Sequence, residues 1–149
     1  MKHRLLHLTI LLLATTFGSA AYAQDLLAPD QAFQISAVRE SPGRVVLTWS
    51  IAPGYAIYRD RVKVVPSDDQ VRIGALSLPA GYMADDPSLN LGAVYEGRFV
   101  MSVPYALADG ATSPALQVEV GGCHHTDPLV CFPPYRVTVP IRQMASVTP

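Results

Sequence analysis

The chain has 149 residues, with 11 Lys and Arg against 12 Asp and Glu, a formal net charge of −1 and only two cysteines. That length fits one domain with a real hydrophobic core, one that does not need disulfides merely to fold. Its arginines are scattered and Lys63 is the only lysine after Lys2, so the clustered cationic footprint of a polyanion binder is missing and nucleic acid is excluded as a partner.

The N-terminus reads as a secretory signal peptide. Lys2 and Arg4 precede an apolar run from Leu8 to Ala14, and the small residues Ala21 and Ala23 suit a signal peptidase, with cleavage expected before Gln24. The apolar run is too short to span a bilayer, and no second long apolar segment follows. Residues 1–23 are therefore expected to be removed, leaving residues 24–149 as a single soluble exported domain with no stable membrane insertion. The signal takes His3 and His7 with it, so both remaining histidines, His124 and His125, stand between the two cysteines.

From there the chain alternates short Val-, Ile-, Leu- and Tyr-rich runs with turn residues, and no segment sustains a capped 3.6-residue period. Phe33, Ile35 and Ala37 alternate with Gln34 and Ser36. Val45, Leu47, Trp49 and Ile51 share one face of a strand and are expected to enter the core. Further strands are expected at Ala56 to Tyr58, Val62 to Val65, Val71 to Leu78, Ala93 to Leu107 with a break near Pro104, Ala115 to Val120, and Tyr135 to Ile141. Connections such as Pro53-Gly54, Pro66-Ser67-Asp68-Asp69, Pro79-Ala80-Gly81 and Asp109-Gly110 carry turn chemistry. The 13 prolines and 10 glycines suit many short strands. The pattern predicts an all-β fold, with an immunoglobulin-like β-sandwich as the leading architecture. Cys123 and Cys131 are too close in sequence to be that fold's usual bridge between sheets.

The chemistry gathers in Gly122-Cys123-His124-His125-Thr126-Asp127-Pro128-Leu129-Val130-Cys131-Phe132-Pro133-Pro134-Tyr135. In an oxidising compartment three uses of this loop compete. A structural disulfide closing a loop of about nine residues contributes roughly 2.6 kcal/mol by chain entropy. A redox pair lets one thiolate attack a partner disulfide while the other cysteine resolves the mixed intermediate. A metal site could use Cys123, Cys131 and His124 or His125 for copper or zinc, although the two-residue spacing of zinc hooks is missing.

The flanks of the loop resemble the N-terminal periplasmic domain of the DsbD family of thiol:disulfide interchange proteins. Gly122-Cys123, Cys131-Phe132-Pro133-Pro134 and Val139-Pro140 match its Gly-Cys, Cys-aromatic-Pro-Pro and Val-Pro elements. Gly54-Tyr55-Ala56-Ile57-Tyr58-Arg59 resembles its Gly-Tyr-x-Leu-Tyr-Arg strand. Leu78-Pro79-Ala80-Gly81, Asp85-Asp86 and Val94-Tyr95 resemble its central loop region, so the likeness runs over most of residues 31–142.

The resemblance implies an immunoglobulin-like fold with the cysteines on a β-hairpin, no bound cofactor, and thiol-disulfide exchange in the periplasm. It casts Cys131 as the exchanging thiol and Cys123 as the resolving one. Thioredoxin-fold periplasmic proteins and a separate membrane electron-transfer protein are the implied partners, because full-length members continue into such domains whereas this chain stops at Pro149. Tyr55 and Tyr58 are an odd number of residues apart and point to opposite faces of a strand, so both cannot line one site. Tyr55 is the expected contact of the hairpin, with Phe132, His124 and His125 as supporting residues. A histidine beside Cys131 would favour its thiolate. The departures are specific: seven residues separate the cysteines where the family has about five, His124-His125 is not part of its pattern, and residues 87–92 lack the aromatic that caps the pair, for which Leu89, Leu91 or Tyr95 could substitute.

Overall fold

The computed structural model describes residues 26–83 and 92–141. The expected signal segment, residues 1–23, and Asp85, Asp86, Leu89 and Leu91 lie outside the described residues.

A single helical turn, α1 (Pro29–Ala32), begins at a proline suited to the first helical position and leads straight into β1 (Phe33–Ser41). The other strands are β2 (Arg44–Ile51), β3 (Tyr55–Tyr58), β4 (Lys63–Pro66), β5 (Val71–Ile73), β6 (Tyr82–Met83), β7 (Ala93–Tyr95), β8 (Arg98–Leu107), β9 (Ala115–Val120), β10 (Gly122–His124), β11 (Val130–Cys131) and β12 (Tyr135–Pro140), with a 3-10 turn at Arg59–Arg61. They form three sheets, ordered β1-β2-β8-β5, β11-β10-β3-β7-β6 and β12-β9-β4. Every described strand pairing is antiparallel. The fold is the expected all-β sandwich.

Its core is built from the inward halves of alternating strands. Val45, Leu47 and Trp49 of β2 are at most 1% exposed, Met101 and Val103 of β8 and Leu116, Val118 and Val120 of β9 join them, and the intervening side chains face outward. Burying each such side chain contributes about 1.5–3 kcal/mol. The Trp49 indole stacks on Phe99, and Phe99 stacks on Tyr95 with ring centroids 4.0 Å apart.

Two expected strands are redrawn. The run from Val71 to Leu78 pairs as a strand only as far as Ile73, and its remainder meets β8 through the Gly74 amide on the Pro104 carbonyl and an isolated bridge from Ser77 to Ser102. The run from Ala93 to Leu107 breaks at Glu96-Gly97, where Gly97 has φ +59° and its carbonyl accepts from the Ile51 amide, and not at Pro104. Pro104 stays within β8 because the neighbouring chain calls on its carbonyl, which accepts from the Gly74 amide, and not on the N–H it lacks.

Candidate functional site

The site lies at one end of the five-stranded sheet and is set by strand register. In β10 against β3, Cys123 stands opposite Ala56 and His124 opposite Tyr55; in β10 against β11, Cys123 stands opposite Cys131. Residues opposite each other share a face, and successive residues alternate between faces. Cys123, Ala56 and Tyr58 therefore fall on one face, and His124 and Tyr55 on the other. Accordingly Cys123, Ala56 and Tyr58 form a small buried cluster with Val94, whereas Tyr55 belongs to the main core.

Cys123 and Cys131 are joined as a disulfide across the hairpin, with their Cα atoms 4.0 Å apart. The two ends of this bond are in different surroundings. Cys123, on an interior strand, is 0% exposed, while Cys131, on the sheet edge, is exposed. After Cys131 the Phe132 amide still donates to the Gly122 carbonyl, but Pro133 and Pro134 have no N–H to give, so the ladder ends there and the chain stays open to solvent.

The Tyr58 hydroxyl donates to Cys123 Sγ at 2.7 Å and lies 3.8 Å from Cys131 Sγ. Burial raises the Tyr58 pKa above the ordinary phenol value, partly opposed by the Arg61 guanidinium 5.0 Å above its ring, so Tyr58 keeps its proton and remains a donor at neutral pH. Tyr58, not singled out among the supporting residues, is thus the tyrosine that reaches the sulfurs. Tyr55 does touch the hairpin, but on the opposite face, through the rings of His124 (4.8 Å) and Phe132 (6.0 Å); its hydroxyl accepts from the Leu27 amide. Tyr55 and Tyr58 lie on opposite faces of β3, as their spacing requires, and the register of β10 against β3 puts the sulfurs on the Tyr58 side.

The histidines separate. His124 is buried, with Nδ1 2.7 Å from the Pro128 carbonyl and Nε2 3.0 Å from the Thr126 hydroxyl. His125 turns away to Glu96, 3.0 Å from its Nε2. The alternative metal set of Cys123, Cys131, His124 and His125 thus does not converge, and among the described residues no group of three or more His, Cys, Asp or Glu side chains could hold a metal ion. Tyr95, one of the suggested caps, packs on Phe99 in the main core and donates to the Pro79 carbonyl, so it does not cover the pair.

Gly122 explains the Gly-Cys step. A Cβ there would stand 2.6 Å from the Ala56 carbonyl oxygen and 2.6 Å from Phe33 Cζ, so only glycine lets β10 lie this close to β3 and the core. Gly122→Ala is expected to destabilise the protein by about 3 kcal/mol, the upper part of the overpacking range, in urea unfolding; an unchanged midpoint would mean that β10 has room to move.

The model for the family described as "Thiol:disulfide interchange protein DsbD, N-terminal" matches residues 23–143. Among curated relatives, a thiol:disulfide interchange protein DsbD of Cronobacter sakazakii is 32% identical over 95% of this chain and 24% of its own length. One of Ralstonia nicotianae is 37% identical over 89% of this chain and 22% of its own length. The chain thus spans about a quarter of the length of the curated relatives it matches. Among solved structures, the DsbD N-terminal domain of Neisseria meningitidis in its reduced form aligns with a TM-score of 0.65 at 27% identity, over 81% of this chain and 93% of that one. The complex between the DsbD and PilB N-terminal domains from the same organism aligns with a TM-score of 0.61 at 26% identity, over 85% of this chain and 95% of that one.

Proposed function

Because the chain belongs to the family of DsbD N-terminal domains, we propose that it is a periplasmic thiol-disulfide exchange domain, carrying reducing equivalents from a membrane electron-transfer module to thioredoxin-fold proteins. Residues 1–23 direct export and are removed, and residues 24–149 do the work. The relative solved as a complex with another protein's domain supports a protein partner over a small-molecule one.

The observation that carries this reading is the asymmetry of the disulfide. A thiolate must approach one sulfur along the S–S axis while the other leaves. Cys131 is open to that approach and Cys123 is buried. An incoming thiolate therefore bonds to Cys131 Sγ, the Cys123–Cys131 bond breaks, and its electron pair remains on Cys123 Sγ, where the Tyr58 hydroxyl already donates. In the outward direction the Cys131 thiolate attacks a partner disulfide and expels one partner thiolate. Cys123 then attacks Cys131 Sγ, re-forming the internal disulfide and releasing the second. The partner gains two electrons and the pair loses two.

The test is direct exchange. The reduced protein, mixed with an oxidised thioredoxin-fold protein, is expected to form the Cys123–Cys131 disulfide as the partner's thiols appear, followed by alkylation and mass. A pair that oxidises with small reagents but never exchanges with such partners would leave the disulfide a structural one.

A further inference from the structure

We infer that His124 is a positioning residue for this cysteine pair: it clamps the long inter-cysteine loop so that Cys131 stays within reach of Cys123 when the disulfide is open. The pair is separated by seven residues, and Thr126 through Leu129 are exposed, so the covalent bond would otherwise hold a loose loop closed. Of the two histidines, only the His124 ring is buried beneath that loop, at 7% exposure. It rests against the Tyr55 ring on the core side. On the loop side its nitrogens reach the Pro128 carbonyl and the Thr126 hydroxyl. A carbonyl oxygen only accepts, so Nδ1 carries the hydrogen and donates to Pro128. The His125 amide, donating to the Gly54 carbonyl, anchors the same stretch from its first residue.

These bonds matter most when the sulfurs are apart. In the dithiol and in the mixed disulfide, β11 has lost its covalent tie to β10. The Phe132 amide on Gly122 and the His124 clamp at Pro128 then hold Cys131 from either side. The nearness of the two thiols sets how readily the internal disulfide forms and how fast Cys123 resolves a mixed one. Removing the ring frees Pro128 and lowers that effective concentration, because loop ordering must be repeated at each closure.

The consequence for exchange rests on the proposed function, but the clamp is tested without any protein partner. Wild type, His124→Ala, His124→Asn and Thr126→Val are equilibrated with reduced and oxidised glutathione, and the dithiol fraction is read after acid quenching and alkylation. His124→Ala is expected to shift the equilibrium about tenfold toward the dithiol, the weight of one buried hydrogen bond. His124→Asn, whose amide nitrogen can replace the Nδ1 donor, should return within about twofold of wild type, and Thr126→Val should move a few-fold in the same direction as alanine. A folded His124→Ala with the wild-type equilibrium would overturn the inference, as would an asparagine variant no better than alanine. Should His124→Ala fail to fold, the exposed-site change Thr126→Val decides, and an unshifted equilibrium there counts against the clamp. Absence of exchange with thioredoxin-fold proteins would defeat the proposed function while leaving these glutathione equilibria intact.

Discussion

A Cys123→Ser variant is expected to accumulate a stable mixed disulfide with its partner through Cys131, whereas Cys131→Ser captures none and both lose net two-electron exchange. The difference follows from burial. In Cys123→Ser the exposed Cys131 thiol can still attack, but nothing resolves the adduct; in Cys131→Ser the surviving Cys123 is 0% exposed and no partner sulfur can line up on it. The measurement is non-reducing electrophoresis and mass spectrometry of periplasmic fractions from cells expressing the full chain, in which the captured protein should begin at Gln24. Equal capture by both variants would reverse the reading of the site's polarity.

Replacing Tyr58 by phenylalanine is expected to slow reduction of the disulfide by a small thiol about 10- to 100-fold, the effect of losing one hydrogen bond to a charged group. The hydroxyl donates at 2.7 Å to Cys123 Sγ, the sulfur on which negative charge develops as Cys131 is attacked. Phenylalanine keeps the buried ring, so the fold should persist. Tyr55→Phe is the matched control: its hydroxyl holds the Leu27 amide on the other face, and its rate should stay within about threefold of wild type because no donor to sulfur is removed. The pH dependence has a definite sign. Burial holds the Tyr58 pKa above its ordinary value, so the donor is present through neutral pH and is lost as pH rises through that raised value. Wild-type and Tyr58→Phe rates should differ by a constant factor near neutrality and converge only in strong alkali. Equal rates at neutral pH would remove Tyr58 from the mechanism.

Much of the fold was legible in period-two patterns. Val45, Leu47, Trp49 and Ile51 alternate so regularly that their burial needs no tertiary information, because a strand that hides one face must hide that set. The early end of β5 at Ile73 was not legible, since Gly74 to Leu78 keeps apolar residues while its pairing depends on where β8 runs. The break at Gly97 was outweighed by Pro104, a residue that normally stops a ladder but here meets a neighbour that uses its carbonyl.

At the site, the amino-acid order alone located the chemistry: two cysteines and two histidines in one loop, a Gly-Cys step, a Cys-Phe-Pro-Pro exit, and two tyrosines on opposite faces of one strand. These are local properties, fixed by spacing and by what glycine and proline allow. Tertiary structure alone decided which tyrosine meets the sulfurs, which cysteine is buried and where each histidine points. The pairing of Cys123 with Ala56 puts Tyr58 on the sulfur face, and sheet order puts Cys123 inside and Cys131 at the edge. Strand register and sheet order are contacts between segments far apart in sequence, and a shift of one residue in β10 would have exchanged the roles of Tyr55 and Tyr58 without changing a letter of the chain.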